Sequence, residues 1–269
     1  MRIQIDHVSF TYPGDIKALE DVSLTIQPGE KVAITGRNGS GKTTLARHLN
    51  GLFHPQTGRI LIGDWPTTEH SPAQLARRVA YVFQNPDEQL FHRRVWEEIA
   101  FGPQNLGYSP REVESRVREA VDQMGLADFA QMNPRDLGYS NRKQVALASA
   151  LAMHTPIVVL DEPTAGLDTQ ELEQLSQTIQ RFYQQGKTVL VISHDMDFVA
   201  ENLDRVVLMQ AGQVIFDAPT RQFFSEARLL ESSGLVVPQM TRLSQRLGLS
   251  QAALNVEELV NQILRGSDQ

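Results

Sequence analysis

Residues 29–50 read GEKVAITGRNGSGKTTLARHLN. A short apolar strand ends at Thr35, the run KTTLARHLNGL reads as helix, and between them Gly36–Thr43 matches G-x-x-x-x-G-K-[ST]. The strand-loop-helix context makes that match specific. Its glycines let the backbone curl so that the N–H groups of Gly36, Arg37, Asn38, Gly39, Ser40 and Gly41 face phosphates, together with the helix N-terminus at Thr43 and Thr44. Lys42 adds positive charge toward the β- and γ-phosphates, and the Thr43 hydroxyl is placed to ligate magnesium.

A second stretch completes this chemistry. In IVVLDE, Asp161 and Glu162 end an apolar strand. A buried strand delivers Asp161 to a magnesium ion, and the adjoining carboxylate orients or deprotonates an attacking water. Gln84 follows the strand YVF, His194 follows TVLVIS, and AGLD with Asp168 comes shortly after Glu162. In that order these features resemble the nucleotide-binding subunit of an ABC transporter over about the first 220 residues. The resemblance implies Mg2+-dependent ATP hydrolysis. It also places Tyr12 of FTYPG on the adenine, Gln84 between magnesium and the transport partner, and His194 at the γ-phosphate.

Working outward, 269 residues suffice for one large domain plus an appendage. The composition, 41% hydrophobic and 21% charged, is that of a soluble globular protein, and no apolar run approaches the roughly 18 residues of a membrane span. The start MRIQIDHVSF runs straight into strand-like alternation without the pattern of a secretory signal. Zero cysteines exclude disulfides and thiolate metal sites and fit a cytosolic chain. A net charge of -7 argues against a nucleic-acid partner.

The expected fold is α/β: a P-loop ABC ATPase core with an antiparallel β region, a helical insertion and a small C-terminal helical appendage. The ATPase domain is expected over residues 1–219, with its helical subdomain at about 95–150 and the helical extension over 220–269. Ala211 and Gly212 are expected to turn a hairpin, and GLVVP at residues 234–238 to separate two helical stretches.

FQNPDEQLF followed by VWEEIAFGPQN resembles the ATPases of energy-coupling factor (ECF) importers, as does the C-terminal GLVVPQMTRLSQRLG. That likeness implies a peripheral subunit at the cytoplasmic face of the membrane that energises uptake of a vitamin or metal ion. Its implied partners are a second ABC ATPase, a transmembrane coupling protein and a membrane substrate-binding protein. Asp87 and Glu88 are expected to meet basic residues of the membrane partner. The rival readings are a soluble, non-transport ABC ATPase and a regulatory nucleotide-binding subunit with weak hydrolysis. Two cassettes, long coiled-coil insertions and a strongly basic surface, frequent in the soluble class, are absent from this sequence.

RDLGYSNRKQ, residues 135–144, carries the departure from pattern. ABC ATPases place L-S-G-G-Q, or L-S-Y-G-Q in ECF-type members, before a helix. Leu137, Gly138, Tyr139, Ser140 and Asn141 fall on those five positions, so the serine has become glycine, a glycine serine, and the glutamine asparagine. The usual segment grips the γ-phosphate held by the opposite subunit. Ser140 either supplies the missing hydroxyl or serves as a plain helix N-cap. A full catalytic set beside a degenerate signature favours a heterodimer over a homodimer.

Overall fold

The computed structural model describes residues 1–249 and 252–266. The end of the expected extension, residues 267–269, therefore lies outside the described residues. Among the described residues, ten strands form two sheets. The four-stranded antiparallel sheet has the order β2-β1-β4-β5, with β1 Ile3–Tyr12, β2 Ile16–Ile26, β4 Thr57–Ile62 and β5 Trp65–Pro66. The six-stranded sheet runs β10-β9-β3-β8-β7-β6, with β3 Lys31–Thr35, β6 Val79–Val82, β7 Ile157–Asp161, β8 Thr188–Ile192, β9 Arg205–Gln210 and β10 Gln213–Pro219. All its neighbouring pairs are parallel except β9–β10, whose hairpin turns through Ala211 at φ 48° and Gly212 at φ 80°.

The central strands read IVVLD and TVLVI because both faces of the parallel sheet are covered. Alternation splits each strand between two cores. Ile157, Val159, Leu190 and Ile192 face the antiparallel sheet and α1 (Lys42–Leu49), packing with Ile5, Ile60, Leu45 and Leu49. Val158, Leu160, Val189 and Val191 face the helical side.

That side is built from α3 (Val95–Asn105), α4 (Pro110–Gln123) and α5 (Tyr139–Met153), which follow the short α2 (Pro72–Leu75) and β6. Ser109 and Glu112 form a capping box that starts α4 after Gly107, as Ser71 and Gln74 do for α2. α6 (Thr169–Gln184) and α7 (Met196–Asn202) flank β8. Among the described residues the last four helices are α8 Thr220–Ser225, α9 Ala227–Ser232, α10 Gln239–Arg246 and α11 Val256–Gly266. Phe223, Phe224 and Leu230 are fully buried in the helical-side core. α10 and α11 are joined to the rest by Arg221, which donates to Glu258 at 2.7 Å, and by Asp197, which accepts from the Gln239 N–H at 2.7 Å.

The six-stranded sheet aims the carboxyl ends of β3, β7 and β8 at one crevice, the place where open parallel sheets bind ligands.

Candidate functional site

The loop leaving β3 is wedged between two carbonyls. An added Cβ at Gly36 (φ 140°) would lie 2.1 Å from the Met209 carbonyl oxygen of β9, and one at Gly41 (φ 100°) would lie 2.4 Å from the Ala18 carbonyl oxygen of β2. Only glycine fits at either position. The hairpin tip locks the loop from outside, since the Gly212 N–H donates to the Ser40 carbonyl at 3.1 Å. α1 starts at Lys42, so its free N–H groups open into the crevice.

Asn38, Gly39, Ser40, Gly41, Lys42, Thr43 and Thr44 line the crevice together with Gln84, Glu162 and His194. Gly36 and Arg37 lie outside that lining and hold the Lys42 ammonium, which donates to their carbonyls at 2.8 and 3.1 Å. Burial lowers the Lys42 pKa, opposed by the nearby carboxylates of Glu162 and Asp161. The ammonium thus rests on its own loop.

Asp161 ends β7, 2% exposed. Thr43 donates to one of its oxygens at 3.2 Å and the Tyr81 hydroxyl to the other at 2.8 Å. Burial raises the Asp161 pKa, and the Tyr81 and Thr43 hydrogen bonds oppose that rise. Burial, then Asp161, pushes the Tyr81 phenol far up, so it keeps the proton it donates to Asp161. Tyr81 was not among the residues singled out from the sequence. A phenol on an otherwise buried four-residue strand needs a hydrogen-bond partner, and that need was the available signal.

The next residue, Glu162, adopts φ 46° and accepts from His194 Nδ1 at 2.8 Å. His194 follows β8 and remains largely exposed, whereas the Glu162 carboxylate is buried. A carboxylate and an imidazole in contact beside a phosphate-binding loop can hold a water and move its proton.

Tyr12 stands outside the crevice lining. Its hydroxyl lies 3.1 Å from the Thr44 hydroxyl, and its ring meets Phe10 and Phe53 edge-on at 5.1 and 5.6 Å. Asp168 is the N-cap of α6, in a capping box with Glu171.

In the signature stretch, Leu137 is buried and α5 begins at Tyr139 with Gly138 as N-cap and no side-chain capping bond. Ser140, for which an N-cap was one of the two roles read from the sequence, and Asn141 therefore lie inside the first turn. The cap falls two residues earlier because Gly138 takes the extended conformation, φ −60° and ψ 159°. The Tyr139 hydroxyl points to the Gln84 carbonyl at 3.5 Å, and its ring lies over Gly166 of AGLD.

Asp87 and Glu88 stay more than half exposed. Asp87 pairs with Arg142 of α5 at 3.2 Å and Glu88 with Arg47 of α1 at 3.7 Å, so both carboxylates already have cations within the chain. Lys143 was also missed. It is buried in α5 and donates to main-chain carbonyls of the Glu162 loop, which come from twenty residues downstream.

The family model described as ABC transporter matches residues 19–165, more than half of the chain. The putative ABC transporter ATP-binding protein PH0132 of Pyrococcus horikoshii is 40% identical over 97% of this chain and 99% of its own length. The energy-coupling factor transporter ATP-binding protein EcfA of Methanothermobacter thermautotrophicus is 35% identical over 97% of this chain and 86% of its own. Some relatives are longer: this chain spans 41% of a putative ABC transporter ATP-binding protein of Methanosarcina mazei, at 38% identity over 90% of its own length. Among solved structures, cbiO1 of Clostridium perfringens, part of the ABC transporter complex cbiONQ, superposes with a TM-score of 0.76, 29% identity, and coverage of 92% of this chain and 98% of that one. With a nucleotide loop, a buried Asp-Glu pair and a histidine meeting at the ends of β3, β7 and β8, and relatives of that kind along nearly its whole length, the chain belongs to the ATP-hydrolysing, ATP-binding subunits of ABC transporters.

Proposed function

We propose that this chain hydrolyses ATP to energise uptake of a micronutrient, a vitamin or a metal ion, through an ECF-type importer. It sits as a peripheral subunit at the cytoplasmic face of the membrane, paired with a second ABC ATPase under a transmembrane coupling protein. A separate membrane protein recognises the substrate. The observation that carries the reading is the Glu162–His194 contact at 2.8 Å on the rim of the crevice lined by Lys42 and Thr43.

Lys42 exchanges its loop carbonyls for the β- and γ-phosphates when ATP enters. The loop N–H groups and the start of α1 hold the remaining phosphate oxygens. Thr43, Asp161 and Gln84 are all hard oxygen donors, suited to magnesium bound by one or two carboxylates plus substrate phosphates. No group of three His, Cys, Asp or Glu side chains among the described residues makes a cage without the nucleotide. Magnesium so held supplies positive charge beside the phosphates. Glu162 takes the proton of the attacking water, and His194 fixes the carboxylate and reaches the γ-phosphate. Tyr12 supports the adenine.

The signature, Leu137–Asn141 with Asp168, faces the nucleotide of the second ATPase. With Gly138 in place of serine, that other site is the weakened one, and an ordinary signature on the partner completes the site built on Lys42. ECF naming among relatives and the cbiONQ membership of a structural neighbour support the transport reading.

The test has two parts. Extraction of the tagged chain from its native membranes is expected to bring down a second ABC ATPase and a polytopic membrane protein; recovery of soluble factors alone would sink the transport reading. Glu162→Gln is expected to keep ATP binding by calorimetry while hydrolysis in the complex falls on the order of 10²–10⁴-fold. Wild-type turnover would remove Glu162 from the role of base.

A further inference from the structure

Lys143 lies in the first turns of α5, 5% exposed. Its ammonium donates to the Pro163 carbonyl at 3.1 Å, to the Glu162 carbonyl at 3.4 Å and to the Ala165 carbonyl. An ammonium has three donors and no acceptor, so these three main-chain oxygens are a full complement. All three belong to the loop that carries Glu162 away from β7.

That loop needs holding. Glu162 sits at φ 46°, a conformation that costs a non-glycine residue on the order of 1–3 kcal/mol and persists only where the surroundings over-determine it. Its N–H is fixed by the Ile192 carbonyl of β8 at 2.9 Å. Its carbonyl side is fixed by Lys143.

We propose that Lys143 is a positioning residue for Glu162: from the helix that presents the signature, it clamps the carbonyls of the following loop and so sets the carboxylate against the nucleotide. The proposal rests on the reading of Glu162 as general base. Lys143 is absent from the crevice lining and acts through the main chain.

Burial lowers the Lys143 pKa to about 8, against the stabilising charges of Glu162 on the loop and Glu171 on α6. On its own helix, the Tyr139 ring lies 5.3 Å away and the Arg142 guanidinium is engaged by Asp87. The clamp is complete while the amine is protonated. It loses a donor and its charge as pH rises through about 8.

The experiment compares Lys143→Met, Lys143→Gln and Glu162→Gln in the complex purified with the full chain, across pH. Lys143→Met is expected to lower kcat about 10–100-fold, the scale of a misplaced catalytic group, with the KM for ATP nearly unchanged. The wild type is expected to lose kcat as pH rises through about 8, and Lys143→Met to lack that fall. Lys143→Gln, which keeps an N–H donor, is expected to recover part of kcat. A wild-type kcat in Lys143→Met overturns the proposal. So does a joint loss of kcat and ATP affinity that Gln does not relieve. Should Lys143→Met not fold, a wild-type profile flat through pH 8 together with a Gln variant equal to wild type overturns it equally. Undiminished turnover in Glu162→Gln would instead refute the role of Glu162, and that outcome is separable from a failure confined to Lys143.

Discussion

A single methyl group discriminates among the glycines of the nucleotide loop. Gly36, Gly39 and Gly41 all have positive φ, yet a Cβ at Gly39 meets nothing within 4 Å, whereas at Gly36 it collides with the Met209 carbonyl. Gly39→Ala should therefore cost only the left-handed penalty of about 1–2 kcal/mol. Gly36→Ala should lower the melting temperature further and abolish ATP binding, because the clashing atom is main chain of β9 and cannot turn aside. Thermal unfolding and calorimetry on both variants check the contrast; equal losses would refute the wedge. Lys187, just before β8, gives a residue-scale test with the opposite sign. Burial, then Arg116, lowers its pKa to about 8, and among the described residues its ammonium has no hydrogen-bond acceptor, only the Phe182 ring at 5.0 Å. Between pH 8 and the ordinary lysine range the unfolded chain binds the extra proton, so stability rises with pH across that window. Lys187→Met should remove that slope and raise stability at neutral pH by about 1–3 kcal/mol, read from denaturant titrations. A lower neutral stability would show that the charge is compensated.

At the scale of elements, α5 is the most informative. Gly138 caps it with nothing within 4 Å of an added Cβ and a conformation open to any residue. Gly138→Ser should therefore change stability by only a few tenths of a kcal/mol, since glycine is itself a tolerable cap. In the proposed heterodimer it adds a hydroxyl donor toward the partner's nucleotide, worth a few kcal/mol to a developing charge where water is excluded. Hydrolysis measured one site at a time, with the other site's catalytic glutamate replaced, should rise in the partner's site and stay level in the site of Lys42. A gain confined to the Lys42 site would reverse the proposed geometry. The same helix shows how far the sequence could be read. The nucleotide loop and the Asp161–Glu162 strand end were legible because each is a contiguous motif whose chemistry lies within a few residues. The pairing of Arg142 with Asp87, and of Lys143 with the Glu162 loop, joins segments brought together only by packing of α5 on the sheet. Periodicity carries no trace of that. The start of α5 was misplaced for a local reason, because Ser140 is by residue type a better cap than the Gly138 that takes the position.

Across the whole molecule, the first two helices of the C-terminal stretch, α8 and α9, share the main core. Phe223, Phe224 and Leu230 lie in the same core as the sheet, and Gly234 packs beside the Arg37 side chain of the nucleotide loop. A chain ending at residue 219 should lose roughly 3–5 kcal/mol for each missing phenylalanine and melt far below one ending at residue 235. Equal melting temperatures for the two truncations would show that the buried rings contribute little. The sheet order has a further consequence, for the birth of the protein. β3 ends at Thr35, but its two neighbours, β8 and β9, begin at Thr188 and Arg205. At roughly 5–20 residues per second, a ribosome takes on the order of 10–30 s to make the intervening stretch. Throughout that time the apolar strand bearing the nucleotide loop has left the ribosome without either strand that will flank it. The first sheet, β2-β1-β4-β5, is complete by Pro66 and can shelter one face of it. The strand's open edges must wait, and a ribosome-bound chaperone that covers exposed apolar strands meets its best target here.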